Sequence, residues 1–169
     1  MPSTPRILAL DTATQACSLA LFGHGGLRRR HEMLARAHNR HILHMLSDVL
    51  QGEVLADSVD VVACGVGPGS FTGLRVAVSV AQGLAWSQRL PVHPFCSLRA
   101  QMYAAAEQDL LVEGDHVLST IDAQIGQLYG LWGVWTGCAV AADGSPFICT
   151  PDQIPVPDGS DKLVILGSG

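Results

Sequence analysis

The residue types and spacings suited to chemistry fall in a glycine-rich loop, a histidine-bearing helix and two strand-end aspartates. The loop is Gly65-Val-Gly-Pro-Gly-Ser-Phe-Thr-Gly-Leu-Arg75, with four glycines in nine residues. It follows the apolar run Val59–Cys64 and precedes Val76–Trp86, an order that reads as strand, loop, helix. Its glycines allow positive φ and close backbone approach, Pro68 stiffens the turn, and Thr72 stands where an N-cap would. A loop of this kind at a helix N-terminus suits an anion. Neither common phosphate signature fits, however. A P-loop needs a lysine that is absent here, and a dinucleotide fingerprint counted from Gly65 meets Ser70 where its last glycine belongs. The competing reading is a tight structural connection made by Gly67, Pro68, Gly69, Ser70, Thr72 and Gly73.

His38, His41 and His44 suggest a metal cluster until their spacing is counted. They fall at i, i+3 and i+6 rather than the i, i+4 of a two-histidine helical site, so they fan across a helix surface and no metal is expected. Ser70 has no histidine close in sequence to act as its base, which leaves peptidase chemistry without a nucleophile pair. No catalytic residue is assigned. Cys17, Cys64, Cys96, Cys138 and Cys149 are odd in number and lack Cys-x-x-Cys spacing, and are expected to be buried thiols in a reducing cytosol.

Composition narrows the class. At 169 residues the chain suits one ordinary domain or two small lobes, and 48% hydrophobic against 15% charged residues is enough for a sizeable core. The formal charge is −5 and Lys162 is the single lysine, so the basic stripe of a nucleic-acid reader is missing. Asp11 arrives too early for a signal peptide, and no apolar run has the length of a membrane span; a cytoplasmic protein is expected.

The elements that must position these groups follow from pattern. Arg6–Leu10 reads as a buried strand ending at Asp11, Asp11–Thr14 as a turn, and Cys17–Phe22 as a second strand. Gly23–Gly26 closes a hairpin into a third strand over Leu27–Leu34, on which Arg28, Arg29 and Arg30 read as a solvated edge. His38–Leu50 is predicted helical, with a stripe of Ile42, Met45, Leu46 and Val49 that Leu43 and Leu50 widen beyond one packing face. The helix after the glycine loop is apolar nearly all round and is expected to be buried between other elements. Pro91–Phe95 reads as a brief strand, and Ser97 as the cap of a helix from Leu98 to about Gln108. Three antiparallel strands followed by parallel additions with crossover helices give the ribonuclease H-like layout.

The chain then repeats itself. His116–Ala123 echoes Ile7–Thr12, and Gln127–Trp135 echoes the second strand, so Asp11 and Asp122 stand at equivalent strand ends. Two such halves describe the α/β actin-like ATPase and sugar-kinase fold. In that superfamily the paired carboxylates address a metal-bound nucleotide, which makes Asp11, Thr12, Thr14 and Asp122 a candidate vestigial nucleotide site. After the connection Thr150–Asp161 the strand Leu163–Leu166 runs into Gly167-Ser-Gly169. Residues 1–110 are expected as a first lobe and 111–169 as a truncated second lobe without its C-terminal helices.

Gly67-Pro-Gly-Ser-Phe-Thr-Gly-Leu-Arg75 after Asp60–Gly65 resembles the TsaB (YeaZ) family of tRNA threonylcarbamoyladenosine biosynthesis proteins, in the glycoprotease-like branch of the actin-like superfamily. Leu10–Thr14 with Cys17–Ala20, the helix from His38, Leu90–Leu98 and Ile121–Ala123 carry the same resemblance, which covers nearly the whole chain. It implies a non-catalytic scaffold that activates a TsaD-type catalytic subunit, together with an associated ATPase subunit, to modify the adenosine next to the anticodon. On that reading tRNA is met only through the complex, ATP or ADP belongs at the partner interface, and the chain holds no cofactor of its own. It also implies a homodimer in isolation, with contacts on the two helices that bear His38, His41, Ile42, Met45, Val49 and Ala77, Ala81, Ala85. The Asp11–Thr14 turn lacks the glycine of true actin-like ATPases, so independent ATP hydrolysis is not expected. An ATPase or glycoprotease-type peptidase acting alone, and a self-associating structural protein, are the alternatives.

Overall fold

The structure is a computed structural model that describes residues 4–23, 25–34, 38–157 and 162–168. His24 of the expected hairpin loop, residues 158–161 of the expected connection, and Gly169 lie outside them. The chain divides into two compact units, Met1–Phe95 and Cys96–Gly169.

In the first unit β1 (Ile7–Asp11), β2 (Ala16–Gly23) and β3 (Gly26–Met33) form an antiparallel meander, and β4 (Val61–Gly65) and β5 (Val92–Phe95) add in parallel. Between them come α1 (His38–Leu50), the single turn α2 (Leu55–Ser58) and α3 (Phe71–Gln88). The sheet order is β3-β2-β1-β4-β5. Alternation puts Leu8, Leu10, Cys17, Leu19, Leu21, Val62 and Cys64 on one face, and α1 and α3 both pack there.

The α1 stripe Ile42, Met45, Leu46 and Val49 belongs to this core. The helix stops where Gln51 and Gly52 take positive φ, and Arg28 donates to the carbonyl of Leu50 at 3.2 Å. Arg28 also pairs with Glu53, and Arg30 reaches Asp48, so the β3 edge is charged but tied down. On α3 the stripe Gly73, Ala77, Ala81 and Ala85 recurs every four residues and faces the sheet, where small side chains let the helix sit close. The outer side carries Phe71, Arg75, Gln82 and Trp86, all exposed. The expectation of a helix buried all round is therefore corrected. Only one stripe is covered, and Val76, Val80 and Leu84 beside it are half-buried.

In the second unit the helix α4 (Ser97–Glu107) precedes β6 (His116–Gln124), β7 (Gln127–Trp135), β8 (Val140–Cys149) and β9 (Leu163–Gly167). The sheet order is β8-β7-β6-β9, with β9 parallel to β6. Leu98, Met102 and Ala105 of α4 pack on Val117, Ile121, Leu131 and Val140, which is why the unit begins at Cys96 rather than at the expected residue 111. Ser119 donates to Gln101 at 2.7 Å inside this contact, and Tyr103 meets Trp135 edge to face at 6.0 Å. Asp115 is buried, accepting from the Val112 N–H and from Lys162, both at 2.9 Å; these bonds hold its carboxyl below the usual carboxylate range.

The first four strands of each unit are ordered alike, β3-β2-β1-β4 against β8-β7-β6-β9. The duplicated α/β actin-like ATPase fold expected from the sequence is the one observed. Among the described residues the second unit has no helix after β9 and no counterpart of β5. The cysteine reading holds in part. Cys17 and Cys64 are buried, whereas Cys96 and Cys149 are half-buried and Cys138 is exposed.

Candidate functional site

The glycine loop closes onto the turn after β1. Gly65 lies beside Asp11, and a Cβ added at Gly65, Gly69 or Gly73 would run into Asp11 Oδ2, the Ala13 carbonyl and the Thr12 carbonyl respectively. Three glycines of the motif are thus explained by one turn. Gly67 is required by its φ of +92°, and the Gly67–Pro68 peptide is cis. Hydrogen bonds seal the contact: the Ser70 N–H donates to the Ala13 carbonyl at 2.6 Å, and Thr12 Oγ1 donates to the Gly73 carbonyl at 2.7 Å. Ser70, rather than Thr72, caps α3, its hydroxyl accepting from the Gly73 N–H at 3.3 Å; Thr72 is already helical and exposed. Ser97 is likewise inside α4, whose N-cap position is Cys96.

This arrangement corrects the candidate nucleotide contacts. Thr12 is fully buried and its hydroxyl is used by Gly73, so it touches no ligand. Asp11 Oδ1 accepts from the Ala13 N–H at 2.7 Å, and Thr14 Oγ1 from the Ala16 N–H at 3.1 Å. The groups that would meet a phosphate therefore hold the turn together. Asp122 repeats the device in the second unit, its Oδ1 accepting from the Gln124 N–H at 2.7 Å. The equivalence of Asp11 and Asp122 is thus expressed as the same local turn.

Other reactive groups are placed for structure. Burial, reinforced by the charges of Glu32 and Asp11 near Cys17 and of Asp11 near Cys64, pushes both thiols up to about 11, so they stay protonated near neutrality. Ser18 and His31 form a cross-strand pair at 2.8 Å, thirteen residues apart and opposite each other in register, which no local pattern signals. His41 faces Glu32 of β3 at 3.5 Å, His44 is exposed and His38 half-buried. A cavity lies at the other end of β1, lined by Arg6, Arg28, Glu53 and Asp57 among others; there Arg6 pairs with Asp60 and Arg28 with Glu53.

The helix residues expected at a partner surface are also corrected. Ile42, Met45 and Val49 are each 1% exposed, and Ala77, Ala81 and Ala85 lie against the sheet. Side chains already packed in their own core have no area left for a partner. The exposed apolar groups lie on the opposite faces: Leu43 on α1, and Phe71 (69% exposed) and Trp86 (89%) on α3, with the Arg75 guanidinium 3.9 Å from the Phe71 ring centre.

A family model described as TsaD, tRNA N6-adenosine threonylcarbamoyltransferase, matches residues 13–133. A solved structure described as YeaZ from Pseudomonas aeruginosa superposes with a TM-score of 0.84 at 34% identity, covering 97% of this chain and 75% of that one. The chain belongs to the TsaB/YeaZ family, within the wider TsaD group. The tRNA threonylcarbamoyladenosine biosynthesis protein TsaB of Haemophilus influenzae is 43% identical over 124 residues, 73% of this chain and 51% of that protein. TsaB of Escherichia coli is 39% identical over 142 residues, 78% of this chain and 59% of that protein. The chain thus spans between half and three fifths of the length of these two relatives. No described helix is long and apolar enough to cross a membrane.

Proposed function

We propose that this chain is a non-catalytic binding subunit in the biosynthesis of threonylcarbamoyladenosine in tRNA, in the cytoplasm. It docks a TsaD-type catalytic subunit, works with an associated ATPase subunit, and meets tRNA only through that complex. The observation that carries the reading is the outer face of α3, where Phe71 and Trp86 are exposed on a rigid helix whose other side is anchored in the core. Large exposed aromatics of this kind are the usual energetic centres of interfaces. The names and family of the similar proteins support the pathway. The closed Asp11 turn supports a subunit that performs no phosphate chemistry itself, with ATP or ADP held at the partner interface. Alone, the chain forms a homodimer through the same helix faces, and the catalytic subunit competes for them.

Trp86→Asp tests this reading. The side chain is 89% exposed, so folding should be unaffected by circular dichroism. Capture of the TsaD-type subunit from the same organism should weaken by roughly tenfold or more, and the tRNA modification assay should fall with it. Undiminished capture and modification would place the contact elsewhere. For nucleotide, calorimetric titration of ATP with magnesium into the isolated chain should give millimolar affinity or weaker. Micromolar binding with turnover would return the ATPase alternative.

A further inference from the structure

Between Asp60 and Glu107 the chain carries no acidic residue, although it has 15 in all and a formal charge of −5. α3 lies in that stretch, and its only charged residue is Arg75, one turn after Phe71 and exposed like it. The Arg75 guanidinium is held over the Phe71 ring, and among the described residues no carboxylate or carbonyl accepts from it. Other arginines of the unit are tied to acids: Arg6 to Asp60, Arg28 to Glu53 and Arg30 to Asp48. Arg75 is therefore a charge placed among exposed aromatics with its N–H donors unused. The ring orders its side chain in advance, so less rotamer freedom remains to be lost when the N–H fork meets an acceptor.

We propose that Arg75 sets partner choice at this face, pairing with a carboxylate of the TsaD-type subunit and disfavouring a second copy of this chain. The proposal rests on the docking reading above and adds the chemistry of the surface that fits: an apolar patch receiving Phe71 and Trp86, with an Asp or Glu opposite Arg75. In an isologous pair the same face meets itself, and α3 has no acid to offer. Two guanidinium groups would then lose water without gaining a counter-charge. A charge matched in one complex and unmatched in the other lets a shared apolar surface discriminate between partners. One arginine in a chain of charge −5 is not the basic stripe that nucleic acid requires, so the acceptor is protein.

The test follows both associations with purified proteins. The TsaD-type subunit from the same organism is titrated into the parent, Arg75→Gln and Arg75→Lys between about 0.1 and 1 M salt, where the Debye length falls from about 10 to about 3 Å. The parent complex should weaken as salt rises. Arg75→Gln should bind roughly tenfold more weakly at low salt and respond less to salt, while Arg75→Lys should keep most of both. Self-association, read by sedimentation, should move the other way. Arg75→Gln should dimerise several-fold more tightly at low salt, even though losing a positive charge makes the chain more acidic than −5. Partner binding unchanged in Arg75→Gln, or lowered equally in Arg75→Lys, overturns the proposal. So does a homodimer that Arg75→Gln leaves unchanged or weakens. Intact capture with loss of tRNA from the assembled complex would assign Arg75 to nucleic acid, and also overturns it. Trp86→Asp separates the two readings: capture that survives it removes both, whereas capture lost there and untouched in Arg75→Gln removes only the role of Arg75.

Discussion

Met45→Asp should unfold the first unit rather than split a dimer. Met45 is 1% exposed and sits with Ile42, Leu46 and Val49 in the same core as Leu19, Leu21 and Val62. An unpaired carboxylate there must either stay charged in an apolar interior or take up a proton, at a cost of several kcal/mol beyond the lost packing. Against a total stability on the order of 5–15 kcal/mol, that is enough to remove most of the folded population of a unit this size. Far-ultraviolet circular dichroism with a urea titration should show a lost or strongly lowered transition. Trp86→Asp, the same chemical change on the outer face, should leave the transition in place. If instead Met45→Asp stays folded with native stability and merely loses self-association, the α1 stripe faces a partner and its place in the core is wrong.

That contrast shows where the sequence was legible. The bounds of α1 follow from periodicity, because a stripe recurring at helical spacing announces both the element and its length. What covers the stripe does not follow, because a core and an interface ask for the same apolar residues. The outward residues of α3 were readable in principle. A helix that turns Gly73, Ala77, Ala81 and Ala85 toward a sheet must turn Arg75, Gln82 and Trp86 away, and a tryptophan among polar neighbours is the signal. β8 left no such trace: Asp143, Gly144, Ser145 and Pro146 argue against a strand, and are tolerated because it is an edge beside an irregular stretch of β7. The Asp11 turn was half legible. Equivalence to Asp122 could be read from the repeat, but the closure by Gly65, Gly69 and Gly73 depends on a tertiary approach that no local pattern encodes.

That closure gives the second large effect. Gly73→Ala adds one methyl group at the first buried position of the α3 stripe, where the Thr12 carbonyl occupies the space a Cβ would need. The obstacle is backbone, and it is fixed on both sides. Thr12 is buried at the end of β1 and its hydroxyl bonds the Gly73 carbonyl at 2.7 Å, while the neighbouring Ala13 carbonyl takes the Ser70 N–H. Relief therefore requires the helix start to move off the turn, which breaks those bonds and lifts the stripe behind them. Overpacking a well-packed site costs about 1–3 kcal/mol, and a backbone neighbour that cannot rotate away places this one at ~3 kcal/mol or above. Gly83→Ala is the control on the same helix. Nothing lies within 4 Å of its added Cβ, so the better helix propensity of alanine should raise stability by roughly 0.5–1 kcal/mol. Urea midpoints should thus move in opposite directions for one methyl group added ten residues apart on one helix. A Gly73→Ala protein as stable as the parent would mean that the loop stands off the turn, and the Asp11 site would then be open to phosphate after all.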